Sequence, residues 1–554
     1  MINFELFGID ERARGMSDGN FIVAKRHYEG NIVFLYGDET AERTLPLSKK
    51  EVAMVKERRE EGREFLLVFD RLPYRLYFVS FDSEKPAAEV QEGLRREAMK
   101  LIKQFETDHV SEVAVCGAGT LPEEVAALLE GLSLADYSFD RYKSKDPWHL
   151  QRVVVDAAYF KKEELEGMQR LWNRIYWCRE WVNLPVQDLG APAFADELAS
   201  IAADLDGVTC TVMDKRKIEA LRMGGLLAVN RGSVDEPRFV VLEYNGVESK
   251  RDACGISGRA GEAAEWKVES GEWKVAPRRG TEHLEKEKQC SEESGKGVKG
   301  ERLKVKGERC ADAPICLVGK GVMYDTGGLN LKPEDYMQEM KSDMAGAATM
   351  ASVVFAAADN RLPVHLVALL PLTDSRPGGN AYAADDILTM YDGTTVEVVN
   401  TDAEGRLILA DAIAYAVKNY NPRVIIDAAT LTGAAVRAIS TFGIAAMEQN
   451  GRRELEMLKL VGEQVYERLV EFPMWKEYEE LIKSEYADLR NCGTTPQAGT
   501  ITAGKFLAHF AKEVPYVHLD IAGVAYFSKA QHCWRAGASG YGVRLLYAYL
   551  QMQG

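Results

Sequence analysis

Read for the alternation of its apolar and polar positions, the chain changes texture about a third of the way along. Over residues 1–159, short β-rich runs alternate with charged helical segments. Residues 21–25, 32–36, 65–69, 74–78 and 113–116 read as strands, and 49–60 and 87–105 as helices, the second with its charges gathered on one face. This pattern predicts a smaller N-terminal α/β domain over 1–160, and nothing in it forms a catalytic constellation. Residues 161–182 follow as one long amphipathic helix carrying Leu165, Met168, Leu171, Trp172, Ile175, Trp177 and Trp181. An aromatic face of that kind packs against a core or between domains.

Proline-marked turns at 183–185 and 191–192 open a larger domain, predicted over 183–554. Helical segments at 193–204, 215–221, 344–358, 454–469, 475–482 and 501–511 are interleaved with strands at 209–213, 239–244, 313–318, 363–370, 395–399, 424–428 and 516–521. That order predicts a mixed sheet flanked by helices, so the fold class is α/β with two domains. Gly224, Gly225 and Gly232 could be read as a phosphate loop, but no Walker pattern follows them and close backbone packing is favoured. His365, alone on an apolar strand, reads as a hydrogen-bonded core residue.

Residues 247–312 differ in kind. They are dense in charges of both signs, and they repeat themselves: EWKV starts at Glu265 and again at Glu272, and VKGER starts at Val298 and again at Val305. Such a composition cannot bury a core, which predicts a surface insertion. Its Cys254, Cys290, Cys310 and His283 lack metal-ligand spacing.

Length and charge narrow the function classes. A chain of 554 residues suggests more than one core, and 46% hydrophobic with 28% charged residues is a globular balance. A net charge of −16 repels a phosphate backbone and an anionic lipid surface, so neither a nucleic-acid nor a membrane partner is expected. The start, MINFELFGID, lacks a basic segment followed by an apolar run, and no stretch is apolar enough to span a bilayer. A cytoplasmic location is expected. The nine cysteines are scattered without a CxxC pair and read as reduced thiols.

The chemistry concentrates in two stretches. In 400–416, NTDAEGRLILADAIAYA, the charges Asp402, Glu404 and Arg406 alternate just before an apolar helical run. If the chain is extended there, all three side chains point the same way. Acids are also favoured at helix entrances by the dipole, so this stretch alone does not separate a ligand set from an ordinary helix start. The second stretch, 320–343, KGVMYDTGGLNLKPEDYMQEMKSD, embeds Lys320, Asp325, Lys332 and Asp343 among apolar and glycine-rich elements. Buried charges that are neither paired nor metal-bound cost several kcal/mol each, at an order of magnitude. Together the stretches supply enough oxygen ligands for divalent cations.

The string NTDAEGRLILADA resembles the signature of the leucine aminopeptidases, the di-metal cytosol aminopeptidases, and VGKGVMYDTGGLNLK is similar to their first metal segment. The resemblance covers roughly 181–550, interrupted by the insertion, which splits two strands adjacent in the family.

The resemblance implies two divalent metal ions per subunit, zinc or manganese first, with magnesium and cobalt compatible. Asp325 and Glu404 bridge them, Lys320 and Asp343 complete the tighter site, and Asp402 completes the more exchangeable one. A lysine ligand must be neutral, so Lys320 needs its pKa driven down by the adjacent cations. Lys332 is the implied catalytic cation facing the reacting carbonyl, and Arg406 the implied holder of a bicarbonate that shuttles the proton. Met340, Thr430, Leu431 and Gly433 match positions bordering the substrate side chain. In the loop 484–500, Pro496 and Gln497 stand where the family commonly has an arginine or a similar residue. The implied reaction is removal of an N-terminal residue, preferably leucine or another apolar one, from peptide substrates by a metal-activated hydroxide. The implied assembly is a homohexamer, with the N-terminal domain serving assembly and access. Two alternatives stay open: a family-fold protein with an added regulatory or nucleic-acid-binding role, and a di-metal phosphoesterase, since bridged metals serve both chemistries.

Overall fold

The computed structural model describes residues 1–7, 30–37, 47–71, 74–145, 147–247 and 313–553, with two short paired segments at 268–269 and 272–273. The predicted strand 21–25 and nearly all of the insertion lie outside the described residues.

The first sheet is six-stranded, built from β1 (Asn3–Phe7), β2 (Asn31–Tyr36), β3 (Phe65–Arg71), β4 (Tyr74–Ser80), β5 (Glu112–Ala118) and β6 (Arg152–Asp156) in the order β1-β6-β5-β2-β4-β3. Helix α1 (Lys49–Glu61) starts at a reciprocal cap, in which Ser48 Oγ accepts from Glu51 N and the Glu51 carboxylate accepts from Ser48 N. Helices α2 (Ala87–Asp108) and α3 (Pro122–Asp136) pack on each other and bury Leu94, Leu101, Ile102, Leu128 and Leu132. Three elements here were not foreseen: β1, β6 and α3. The first two are only five residues long, and α3 carries few charges to mark its faces.

Helix α4 (Lys162–Asn183) leaves this sheet and runs into the second, larger unit. There follow α5 (Ala191–Ala203), β7 (Val208–Met213), α6 (Lys215–Leu221), α7 (Gly224–Asn230) and β8 (Arg238–Asn245). Beyond the insertion come β9 (Ile315–Gly319), β10 (Gly321–Asp325), α8 (Ala345–Asp359), β11 (His365–Ser375), β12 (Ile387–Thr389), β13 (Thr395–Glu397), α9 (Glu404–Tyr420), β14 (Val424–Ala429) and α10 (Gly433–Ile439). The chain closes with β15 (Ile444–Gln449), α11 (Arg452–Val465), β16 (Leu469–Glu471), β17 (Leu489–Arg490), α12 (Gly499–Ala511), β18 (Tyr516–Asp520) and α13 (Val543–Gln551).

The main sheet is nine-stranded and mixed, in the order β16-β15-β18-β14-β9-β11-β8-β7, with β10 also on β11. Its centre, β18-β14-β9-β11, is parallel. The two strands flanking the insertion, β8 and β9, are not partners, because β11 lies between them. Parallel central strands gather their carboxyl ends along one edge, which is where ligands bind in open α/β sheets.

Helix α8 explains why this centre packs tightly. From Ala345 to Ala358 every residue is buried, and small side chains let the helix sit directly on β9 and β14. A Cβ on Gly346 would lie 2.1 Å from the Ala428 carbonyl oxygen, which is backbone and cannot swing away. Gly346→Ala is therefore expected to destabilise the protein by about 1–3 kcal/mol through overpacking. Thermal unfolding checks it, and an unchanged transition would contradict the close approach. Gly224, Gly225 and Gly232 play the same part, each Cβ falling within 2.4 Å of a backbone carbonyl oxygen, so the packing reading of those glycines holds.

A buried ion network ties the two units together. Arg544 on α13 donates to Glu130 on α3 and to Glu467, both at 3.0 Å, and Arg95 on α2 also pairs with Glu130. Three boundaries need correction. Helix 454–469 ends at Val465, because 469–471 joins the sheet as β16; 475–482 is a 3-10 helix, Lys476–Ile482; and the loop 484–500 contains β17 and the first two residues of α12. His365 donates through Nε2 to Glu243 Oε1, 2.8 Å away, so it is hydrogen-bonded as expected, but it lies at the half-buried start of β11 rather than in the core. The six cysteines among the described residues are all free, and no described helix is long and apolar enough to cross a membrane.

Candidate metal centre

The carboxyl ends of the central strands bring the two charged stretches together. Lys320 sits between β9 and β10, held by its backbone: its N–H donates to Ala428 O at 3.1 Å, and its carbonyl accepts from Ala347 N at 2.8 Å. Asp325 is the last residue of β10, at the sheet edge before a turn through Gly327 (φ 84°) and Gly328 (φ 66°). A side chain at Gly327 would be strained by that backbone and would also press on Asp402 Oδ1. Asp343 follows the 3-10 turn Met340–Ser342 and lies one residue, Met344, ahead of α8.

The expected extended alternation over 402–406 is not what forms. Asp402 lies in a turn, and α9 begins at Glu404, so Glu404 and Arg406 stand on different faces of a helix's first turn. Glu404 still reaches the cluster because Gly405 leaves room for Lys320, whose Cε would be 2.4 Å from any Cβ there.

Carboxylate oxygens of Asp325, Asp343 and Glu404, all buried, lie within 4.8 Å of one another. Lys320 Nζ reaches Asp343 Oδ2 at 2.7 Å, Glu404 Oε1 at 2.9 Å and Thr430 O at 3.0 Å. Lys332 Nζ spans Asp325 Oδ2 at 2.8 Å and Asp402 Oδ1 at 2.5 Å. Four carboxylates thus face two ammonium groups. Asp343 Oδ2 and Asp402 Oδ1 meet only the lysine ammonium groups, and Glu404 Oε2 and Arg406 Nε are buried with neither a hydrogen-bond partner nor an ion pair among the described residues. Arg406 itself is 7% exposed, with no ion pair among the described residues. A surplus of buried carboxylate with an orphaned oxygen fits divalent cations of the hard or borderline kind, and an unpaired buried guanidinium fits an anion.

The electrostatics agree. Burial, reinforced by Glu404 and Asp343, raises Asp325 well above the usual carboxylate range. Burial pushes Asp343 up to about 6 against the pull of Lys320, and burial with Glu404 raises Asp402. Glu404 goes the other way: burial opposes its ionisation, but Lys320 and Lys332 prevail and lower it. For Lys320 and Lys332, burial favours the neutral amine, and the surrounding carboxylates outweigh it and raise both. Lys320 thus binds its proton tightly while carboxylates alone surround it. A cation entering this cluster would have to displace protons from the raised carboxyls. Affinity is expected to fall as pH drops through about 6, where Asp343 gains its proton. Calorimetric titration with manganese at pH 5 to 8 checks this, and a flat profile would contradict it.

The residues expected at the substrate side are partly gathered. Thr430 Oγ1 donates to Asp343 Oδ1 at 2.7 Å, and Leu431 follows it, half-buried. Gly433 opens α10 and is exposed, while Met340 lies half-buried on the 3-10 turn ahead of Asp343. Pro496 and Gln497 are exposed.

Sequence reading missed the residues that hold these loops in place. Thr401, fully buried, donates through Oγ1 to Gly327 O at 2.6 Å, and Asn330 Oδ1 accepts from Thr401 N at 2.8 Å, which zips the two charged segments together. Asn491, also fully buried, accepts from Val399 N at 2.7 Å and donates to Asn400 O at 2.7 Å. Asp520 accepts from Leu431 N at 3.2 Å and from Thr432 Oγ1 at 2.7 Å. Thr401 and Asn330 lay inside the two stretches already singled out; Asn491 and Asp520 carried no signal beyond their polarity.

Comparison with known proteins gives a consistent picture. The sequence model of the cytosol aminopeptidase family's catalytic domain matches residues 176–260 and 262–547. A probable cytosol aminopeptidase of Chlorobaculum tepidum is 40% identical over 446 residues, covering 78% of this chain and 76% of the relative. One from Geobacter sulfurreducens is 35% identical over 461 residues, covering 82% and 80%. One from Roseiflexus castenholzii is 33% identical over 509 residues, covering 89% and 90%. Among solved structures, the bottromycin maturation enzyme BotP in complex with Mn is similar with a TM-score of 0.73 at 25% identity, covering 94% of this chain and 99% of that one.

Proposed function

This chain belongs to the cytosol aminopeptidase family, a family of metal-dependent peptidases, and from that premise we propose that it is a leucyl aminopeptidase, releasing leucine or another apolar residue from the N-terminus of peptides. The observation that carries the reading is the meeting of Asp325, Asp343 and Glu404 around Lys320 at the carboxyl ends of the parallel strands.

In this reading Asp325 and Glu404 would hold both of two divalent cations, with Lys320 and Asp343 completing one site and Asp402 the other. Zinc or manganese are the first candidates, and magnesium or cobalt suit the same donors. Two cations held there supply Lewis-acid polarisation of the scissile carbonyl and acidify the attacking water. Lys332, kept protonated by Asp325 and its neighbours, faces the carbonyl oxygen as charge develops on it. Arg406 is always charged and cannot act as a base, but its planar fork suits a bidentate anion. Arg406 would hold a bicarbonate, which would supply a proton acceptor beside the reacting groups, and its unpartnered buried Nε supports that role. Met340, Thr430, Leu431 and Gly433 border the substrate's first side chain.

Assembly as a homohexamer in the cytoplasm belongs to the same reading and is carried by the family relationship. The test is direct: purified, cation-replete protein is offered leucyl-p-nitroanilide and p-nitrophenyl phosphate, with and without chelator. Chelator-sensitive release from the leucyl amide is expected. Turnover of the phosphate ester alone would overturn the proposal in favour of a phosphoesterase.

A further inference from the structure

Helix α4 ends at Asn183, which is buried, and each polar group of that residue is engaged by a different part of the chain. Its Nδ2 donates to Tyr137 Oη at 2.8 Å, on the segment that follows α3 in the N-terminal unit. Its Oδ1 accepts from Ala538 N at 3.2 Å, near the C-terminal end of the chain. Its backbone oxygen accepts a hydrogen bond from Lys341 Nζ. The same ammonium lies 5.5 Å from the centroid of the Phe139 ring, and Tyr142, three residues further, donates to Asp188. Residues 137–142 of the N-terminal unit are thus fastened both to the start of the larger unit and to Lys341.

Lys341 is the middle residue of the 3-10 turn Met340–Ser342, between the expected pocket residue Met340 and the ligand Asp343. The turn is held separately at each end. Asp343 is fixed by Lys320 and Thr430. Before Met340, Glu339 adopts a left-handed conformation (φ 71°), uncommon for a residue with a side chain, and its carboxylate accepts from Ser528 Oγ at 3.0 Å. A conformation of that kind persists only where the surroundings hold it. Lys341 is the contact that reaches from this turn to the N-terminal unit, through a charge-assisted hydrogen bond and the face of an aromatic ring.

We propose that Lys341 is a positioning residue for the substrate side-chain pocket, so that the N-terminal unit sets side-chain preference through Tyr137, Phe139 and Asn183. The inference rests on the reading above that Met340 borders the substrate's first side chain. Because Asp343 has its own anchors, releasing Lys341 shifts the Met340 end of the turn while leaving the metal ligands in place. A larger side chain then fits less well, and a small one is hardly affected.

The experiment compares wild type, Lys341→Met, Lys341→Arg and Tyr137→Phe as full-length, cation-replete proteins on leucyl- and alanyl-p-nitroanilide, with bound metal and Tm measured alongside. Methionine keeps the stem of the side chain and removes the ammonium. Lys341→Met is expected to raise KM for the leucyl substrate about five- to tenfold, the scale on which a small misfit in an apolar pocket is felt, with kcat within about twofold. The alanyl substrate should change little, so the leucyl-to-alanyl ratio of kcat/KM falls. Arginine should restore most of it, and Tyr137→Phe should move the ratio the same way by less. An unchanged ratio in Lys341→Met overturns the proposal, as does a variant whose losses follow lost metal or a lowered Tm equally on both substrates. If that variant is insoluble, an unchanged ratio in Tyr137→Phe overturns it instead. A wild type without aminopeptidase activity would bring down both readings, whereas an active wild type with an unmoved ratio sinks only this one.

Discussion

Changing Glu404 to glutamine is expected to remove metal-dependent release of leucine almost entirely, by a thousandfold or more at an order of magnitude, as when one member of a cooperating catalytic set is lost. The expectation comes from how the residue is placed. Its side chain is 2% exposed, Oε1 is 2.9 Å from Lys320, and Oε2 is buried without a partner among the described residues. Glutamine keeps the size and the hydrogen-bonding reach to Lys320 but removes the charge and turns one oxygen into an N–H donor, which a cation cannot use. Of the acids in the cluster, Glu404 is the one whose ionised form Lys320 and Lys332 favour over the cost of burial, so it is the charge the site holds most firmly. Asp325→Ala is expected to give the same loss, because Asp325 is the other acid assigned to both cations. Elemental analysis after dialysis against manganese or zinc supplies the second readout: each variant should bind less metal than wild type with an unchanged circular dichroism spectrum. Full activity in either variant would remove the basis of the proposed function.

The sequence announced this site because its chemistry is local. Asp325 and Lys332, like Asp402, Glu404 and Arg406, sit close together in the chain beside apolar runs whose burial is predictable from composition. What it could not show was the geometry between the runs. Strict alternation at 402–406 suggested an extended chain, whereas α9 starts at Glu404, and the side chains converge because a glycine at 405 opens a path for Lys320. Asn491 shows the same limit from the other side. It lies 91 residues beyond Asn400 yet donates to its carbonyl, a pairing that only the folded sheet creates. In the N-terminal unit, the periodic helices α1 and α2 and strands β2 to β5 were legible from their patterns. Strands β1 and β6 were not, since each is short and gains its identity by pairing with a strand distant in sequence, β1 with β6 and β6 also with β5. The role of the 137–142 segment was equally hidden, because its partners Asn183, Asp188 and Lys341 are brought to it by tertiary packing.

Lys332 carries the other large expected effect. Replacing it with methionine should lower kcat by roughly 10²–10³-fold, the range seen when one preorganised donor to a developing oxyanion is lost, with KM little changed. The structure gives this lysine little freedom to do anything else: its side chain is 14% exposed, and Nζ is fixed between Asp325 and Asp402. Burial alone would push it toward the neutral amine, but Asp325, Glu404 and Asp402 outweigh burial and raise its pKa. The sign follows. A lysine raised in this way keeps its proton through the neutral and mildly alkaline range while the carboxylates alone surround it. Arginine at this position should restore only part of the rate, because its wide planar fork cannot occupy the place of a compact ammonium between two carboxylates. Single-turnover kinetics on leucyl-p-nitroanilide separate the chemical step from binding. A methionine variant that loses affinity but keeps the wild-type rate of bond cleavage would mean that Lys332 holds Asp325 and Asp402 in place and has no part in stabilising charge on the substrate.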